Sequence, residues 1–182
     1  MVEALVKASV LAGAVHPDAG TVQRAEGLRV LLFEQGRTAL DRSATLHKAL
    51  CPNGDIVVWG ERRLHVTAWA KQFLFRPEQL DVPVGDLSGG EQARVRIAQL
   101  MLQPADLLLL DEPGNDLDIP ALEVLEDSLA EFPGALVLVS HDRHFLKAIS
   151  NRVFRIGEGS LRIFEGSYGE YLQSGQGDAR AS

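Results

Sequence analysis

Three short aliphatic runs stand out along the chain: LRVLLFE at residues 28–34, LLLL at 107–110 and ALVLV at 135–139. Runs of this length, with no polar alternation, suit parallel strands that are covered on both faces. The stretches around them favour helix. Ala4–Ala12 reads as a short apolar helix stopped by Gly13, and HPDAG at 16–20 as a turn. Residues 37–80 are mostly helical in pattern, with breaks at Pro52-Asn53-Gly54 and at Pro77. Within them Glu61–Phe75 places Leu64, Ala68, Lys71 and Phe75 at helical spacing, the clearest helix of that region. Residues 81–87, DVPVGDL, alternate but carry too much Pro and Gly for a central strand. Further helices are predicted over Gln92–Leu102, over Ala121–Glu131 with Asp118 as cap and Pro120 in the first turn, and over His144–Ile149. Arg152–Ile156 and Leu161–Phe164 flank a Gly-rich tetrapeptide and read as a hairpin, with a last helical turn at Ser167–Leu172. The polar segment 174–182, SGQGDARAS, has nothing to bury and is predicted to be disordered. Strands alternating with helices predict an α/β fold. It comprises one body over residues 1–173, a largely parallel sheet, a helical insertion at about 37–102 and a C-terminal β-hairpin.

Composition narrows the class. With 182 residues, 46% hydrophobic and 24% charged, the chain is ordinary for one globular domain that needs no staple. Its formal net charge of −7 argues against a protein held to nucleic acid by bulk charge, and direct DNA binding is not expected. Arg62-Arg63, Arg94-Arg96 and Arg143-His144 are the densest basic groups and read as solvated helix faces. Cys51 is the one cysteine, so an internal disulfide is impossible and a reducing, cytoplasmic setting is the simpler expectation. No run approaches a membrane span, and Glu3 and Lys7 interrupt any secretory signal. The histidines show no metal-ligand spacing with Cys51, and Trp59 and Trp69 read as packing residues.

Three segments carry chemistry. LLLLDEP, residues 107–113, ends an apolar strand in two carboxylates, at the sheet edge where open α/β folds bind ligands. Asp111 suits Mg²⁺, a hard cation that takes carboxylate and phosphate oxygens, and Glu112 can orient or deprotonate a water. LSGGEQ, residues 87–92, sets Ser88, Gly89 and Gly90 before a helix, where backbone N–H groups attract an anion. SHDR, residues 140–143, puts His141 after the strand ALVLV, within reach of the acidic pair if the strands are neighbours. Taken singly, each has a blander reading that would win: an acidic turn, a Ser-capped helix, a loop histidine.

Their order in the chain changes that weighting. Gln35 after a strand, then LSGGEQ, then LLLLDEP with NDLD (115–118) close behind, then SHDR, resemble the ATP-binding-cassette ATPases. The segments EQLDVPVGDLSGGEQARVRIAQLML, DEPGNDLDIPALEVLE, SHDRHFL and LRIFEGSYGEYL resemble the ABC-F branch, which works on ribosomes and has no membrane domain. The resemblance spans residues from about 5 to 172. It implies a P-loop NTPase fold, ATP and Mg²⁺ as ligands, Asp111 and Gln35 at the metal, and Glu112, His141 and Gln35 in catalysis. It implies ATP-binding roles for Ser88, Gly89 and Gly90, the signature motif facing the ATP of a partner cassette, and for Asp118 at the end of the D-loop. Gly114 and Asp116 depart from the branch, which has Thr and His there.

The sequence contains no G-x-x-x-x-G-K-[ST], the loop whose amides and Lys hold phosphates. By the family's order that loop would end around residues 1–4, which read MVEA. The expectation is a cassette that begins just after its own nucleotide cradle and binds ATP weakly or not at all. Such a piece belongs to an ATPase acting at the ribosome, in translation or antibiotic resistance, or serves as a non-catalytic partner lending its signature to an intact cassette, packed head to tail. A transporter nucleotide-binding subunit shares the motifs. The carboxyl half of a structural-maintenance or DNA-repair ATPase is disfavoured by Gln35 and by the lack of a long heptad run.

Overall fold

The computed structural model describes Val10, Gly13 and residues 15–34, 40–115, 117–157 and 160–175. The three aliphatic runs form one parallel sheet: β1 (Val30–Glu34), β4 (Leu107–Asp111) and β5 (Ala135–Val139), ordered β1-β4-β5. Leu32 pairs with Leu109, and Leu109 with Val137. β4 lies in the middle, and Leu108, Leu109 and Leu110 are each 1% exposed or less, as an uninterrupted aliphatic run demands. The flanking β1 and β5 are only half-buried. Asp106 enters β4 by binding the backbone N–H, Nε and Nη2 of Arg29, which ties its start to that of β1.

The connection from β1 to β4 differs from the helical reading of residues 37–80. It contains α1 (Leu46–Leu50) and an antiparallel hairpin, β2 (Ile56–Trp59) with β3 (Arg62–His65). The helix expected over Glu61–Phe75 is therefore corrected: its first part is β3, and α2 covers only Val66–Gln72. Gly60, at φ 59°, occupies the first of two turn residues between Trp59 and Arg62, the Gly-X pattern of a tight hairpin. His65 then caps α2 by accepting from Thr67 N. The buried stripe is Val66, Trp69, Ala70 and Phe73, whereas Ala68 and Lys71 of the expected stripe are exposed. Arg62 and Arg63 accordingly lie on a strand; Arg62 stacks over the Trp59 ring at 5.4 Å. Trp59 and Trp69 are packing residues, their ring centroids 5.4 Å apart.

Residues 77–86 form two short 3-10 turns rather than a strand, in keeping with their Pro and Gly. After them come α3 (Gly89–Met101), α4 (Ile119–Ala130) between β4 and β5, and α5 (Arg143–Ile149). α3 starts three residues earlier than its apolar pattern indicates, because Ser88 and Glu91 form a capping box. Asp118 caps α4 with Pro120 in its first turn, as expected. The C-terminal hairpin, β6 (Arg152–Gly157) and β7 (Ser160–Glu165), and α6 (Tyr168–Gln173) also form. Ser174, read as the start of the tail, instead ends α6, its N–H donating to Glu170 O. Of the helix expected at Ala4–Ala12 only Val10 is described, helical, with Gly13 N donating to its carbonyl. Gln35, Asp116 and residues 176–182 lie outside the described residues.

Candidate active site

The parallel register brings the carboxyl ends of three strands level: Glu34, Asp111 and Val139 share one rung. The next residue of β4's chain is Glu112, and that of β5's chain is Ser140. Glu112 stays attached to the sheet through its N–H, which donates to Val139 O at 2.8 Å. Its backbone then turns into the left-handed region at φ 45°, uncommon for a residue with a side chain. Asn115 N closes the following turn on Glu112 O at 3.2 Å, and Leu117 N a second on Gly114 O at 3.3 Å. The path from strand to α4 is thus two successive tight turns, and the first carries strain of about 1–3 kcal/mol.

The left-handed turn leaves the Glu112 side chain inside the protein. Glu112 is 8% exposed and stands alone as a buried charged residue among those described. Its two oxygens have different surroundings. Oε2 accepts from Ser140 Oγ at 3.3 Å, and that hydroxyl itself accepts from Asp142 N at 3.1 Å, so its proton is directed at the carboxylate. Oε1 is buried without a hydrogen-bond partner. Nearest to it as a potential cation is His141 Nε2, at 3.7 Å. His141 is 77% exposed on its side-chain atoms, so one edge of the pair faces solvent. A buried carboxylate with an unsatisfied oxygen costs stability, and such groups cluster at functional sites. Asp142 caps α5 through His144 N and Phe145 N, which fixes the turn carrying Ser140 and His141.

The LSGGEQ turn is a separate group. Ser88 Oγ and Ser88 N both donate to Glu91 Oε2 at 2.8 Å, and Glu91 N donates back to Ser88 Oγ at 3.3 Å. Gln79 Nε2 donates to the other oxygen, Oε1, at 2.7 Å. The Ser88 backbone N–H, with lesser help from its hydroxyl, Gln79 and the charge of Arg94, holds the Glu91 carboxyl below its usual range against the effect of burial. The Ser88 hydroxyl is thus engaged within its own helix cap. Gly89 faces open space.

The structure therefore gathers Glu112 and His141 at one edge and sets Ser88, Gly89, Gly90 and Asp118 around the amino end of α3. Asp111 ends β4 beside Glu112, and Gln35 falls outside the described residues. Ser140 was given no role by sequence reasoning, and its place in SHDR was the only available signal. Among the described residues no three His, Cys, Asp or Glu side chains cluster to hold a metal by themselves.

Residues 7–115 match the sequence profile of the family described as ABC transporter. The chain belongs to that family of ATP-binding cassettes. It is 40% identical over 176 residues to the ATP-binding protein Uup of Caulobacter vibrioides, covering 95% of this chain and 29% of that protein. It is 37% identical over 163 residues to the energy-dependent translational throttle protein EttA of Escherichia coli K12, covering 89% of this chain and 29% of the relative. The chain thus spans about three-tenths of the length of these relatives. Among solved structures it is similar to a chain of the complex of archaeal ribosomal stalk protein aP1 and archaeal ribosome recycling factor aABCE1. That match has a TM-score of 0.64 and 26% identity, over 93% of this chain and 34% of that one. A bacterial Atm1-family ABC exporter, at 22% identity and TM-score 0.57, shares the fold. The Uup and EttA relatives are of the ABC-F kind, and among the described residues no helix is long and apolar enough to cross a membrane.

Proposed function

We propose that this chain is the catalytic-edge and signature portion of an ABC-F-type cassette, whose parent activity is ATP hydrolysis coupled to conformational change at the ribosome. The observation that supports it most is the buried, strained Glu112 carboxylate with one oxygen unsatisfied. In the parent cassette that oxygen would accept a proton from an attacking water, while Ser140 holds the other. His141 lies near enough to share a water or terminal phosphate oxygen with Glu112. Asp111, with Gln35, would hold Mg²⁺ jointly with phosphate oxygens, since the acidic end of β4 suits a hard cation and lacks enough ligands to hold it alone. Mg²⁺ bound there supplies charge neutralisation at the phosphates. Ser88, Gly89 and Gly90, at the capped amino end of a 13-residue helix, would face the ATP of a second cassette packed head to tail.

These 182 residues include no G-x-x-x-x-G-K-[ST], the loop whose amides and Lys hold a triphosphate. On this reading the 182 residues act as an accessory to a cassette that holds nucleotide. The translation setting is carried over from the EttA relative, a translational throttle protein; antibiotic resistance belongs to the same proposal. Isothermal titration of the chain with Mg·ATP should show no micromolar binding. Adding an intact ABC-F cassette should restore hydrolysis sensitive to G89D in this chain. Micromolar binding or turnover by the chain alone would overturn the accessory reading, and a mixture indifferent to G89D would overturn the signature role.

A further inference from the structure

The two glycines of the signature turn face different surroundings. Gly89 looks onto open space, but a methyl group on Gly90 would overlap Asp118 Oδ2 and lie 2.8 Å from Asp118 Cγ. Gly90 is not among the glycines with positive φ, so its conformational freedom is not what the site uses. What it uses is the missing side chain. Asp118 meanwhile spends its other oxygen on α4, where Oδ1 accepts from Ala121 N at 2.9 Å. One carboxylate is thus seated on the backbone of the α3 turn and on the first turn of α4 together. Both helix ends present partial positive charge, which favours an anion between them.

We propose that Asp118 is a positioning residue that fixes the signature turn Ser88–Gly90 to the segment following Glu112, and that Gly90 is glycine in order to admit it. The turns from Glu112 to Asp118 run through two backbone hydrogen bonds, Asn115 N to Glu112 O and Leu117 N to Gly114 O. A shift at Glu112 therefore reaches Asp118, and through it the Gly89 backbone that faces outward. The proposal rests on the reading above only in giving the signature turn a ligand; the contact itself is a property of this chain.

A double-mutant cycle tests it by urea unfolding of the full chain. G90A alone should lower the folding equilibrium constant at least about tenfold, as overpacking against a fixed carboxylate does. D118A alone should lower it about fivefold through the lost cap. In the D118A background, G90A should be neutral or favourable to within about threefold, because Ala is the better helix residue once the space is empty. In D118N, which keeps the shape and loses the charge, G90A should remain costly. Positioning is read separately from stability by NMR. Amide resonances of Ser88–Gly90 should shift in D118A and stay in place in S167A, which removes the cap of α6. Additive mutations, or signature amides unmoved by D118A, would overturn the proposal. Should G90A fail to fold, recovery of folding in G90A/D118A supports it and failure of both overturns it. No readout involves nucleotide, so a null Mg·ATP titration leaves the coupling standing, and an additive cycle leaves the ATP reading standing.

Discussion

Glu112 offers a direct test of stored backbone strain. Its φ of 45° lies where an L-residue brings Cβ close to the following carbonyl oxygen, at a cost of about 1–2 kcal/mol. Glycine escapes that cost but loses about 0.5–1 kcal/mol more chain entropy on folding than alanine. The two substitutions E112A and E112G both delete the carboxylate and its Ser140 bond, and differ further only in one β-carbon beside the turn. E112G should therefore be the more stable of the pair by about 1 kcal/mol, or about 2–4 °C in Tm for a chain of this size. Against the wild type, E112A loses one side-chain hydrogen bond and some buried methylene, and removes an unsatisfied buried oxygen, so the balance should fall within about 1 kcal/mol. Urea unfolding with a common m-value is the assay. Glu123, exposed in the middle of α4, is the control: there alanine should exceed glycine by about 1 kcal/mol, the reverse order. If E112A equals or exceeds E112G, residue 112 is not held in the left-handed region, and the account of how the carboxylate is aimed fails with it.

Other perturbations follow from the same geometry. Leu109, fully buried in the central strand, should cost about 3–4 kcal/mol when cut to alanine, read by urea unfolding; a cost below about 1 kcal/mol would mean that β4 is not the middle of the sheet. S88A removes the capping box of α3 and should cost about 1 kcal/mol, with faster hydrogen exchange confined to the first turns of that helix. The Arg29 side chain holds the Asp106 carboxyl down at about 2, below its ordinary 3.8. A folded pKa below the unfolded one gives stability that is present above about pH 4 and lost as pH falls towards 2. D106N should flatten the stability profile over that window, and an unchanged slope would show that the Arg29 contact does not form in solution.

Much of this arrangement was legible in the sequence because it depends on local chemistry. The runs LRVLLFE, LLLL and ALVLV favour strands, since none alternates polar with apolar, although only Leu108, Leu109 and Leu110 of LLLL are fully covered in the fold. Asp118 before Pro120 dictates where α4 begins, and Gly-rich residues 157–160 dictate a hairpin. The acidic end of β4, the LSGGEQ turn and SHDR could be recognised because their order and spacing have few other uses. The helical reading of 61–75 failed for a local reason too. Leu64 lies at helical distance from Ala68, and only the Gly60-Glu61 turn, closed by pairing Trp59 with Arg62, decides that the chain doubles back as a strand.

What no sequence pattern could supply is contact between residues distant along the chain. Parallel register is set by packing of the three strands, and it alone levels Asp111 with Val139 and so brings Ser140 beside Glu112, 28 residues away. The left-handed turn at Glu112 is imposed on a residue that would not choose it, which only the surrounding hydrogen bonds can enforce. Likewise Gly90 reads in sequence as freedom near a phosphate, whereas in the fold it is an absence of bulk that lets Asp118 sit against it. Hydrophobic pattern and capping chemistry determine which elements form, because those forces act between near neighbours. Which side chains share a site is decided by how the elements stack, because burial and steric fit exist only once distant segments have met.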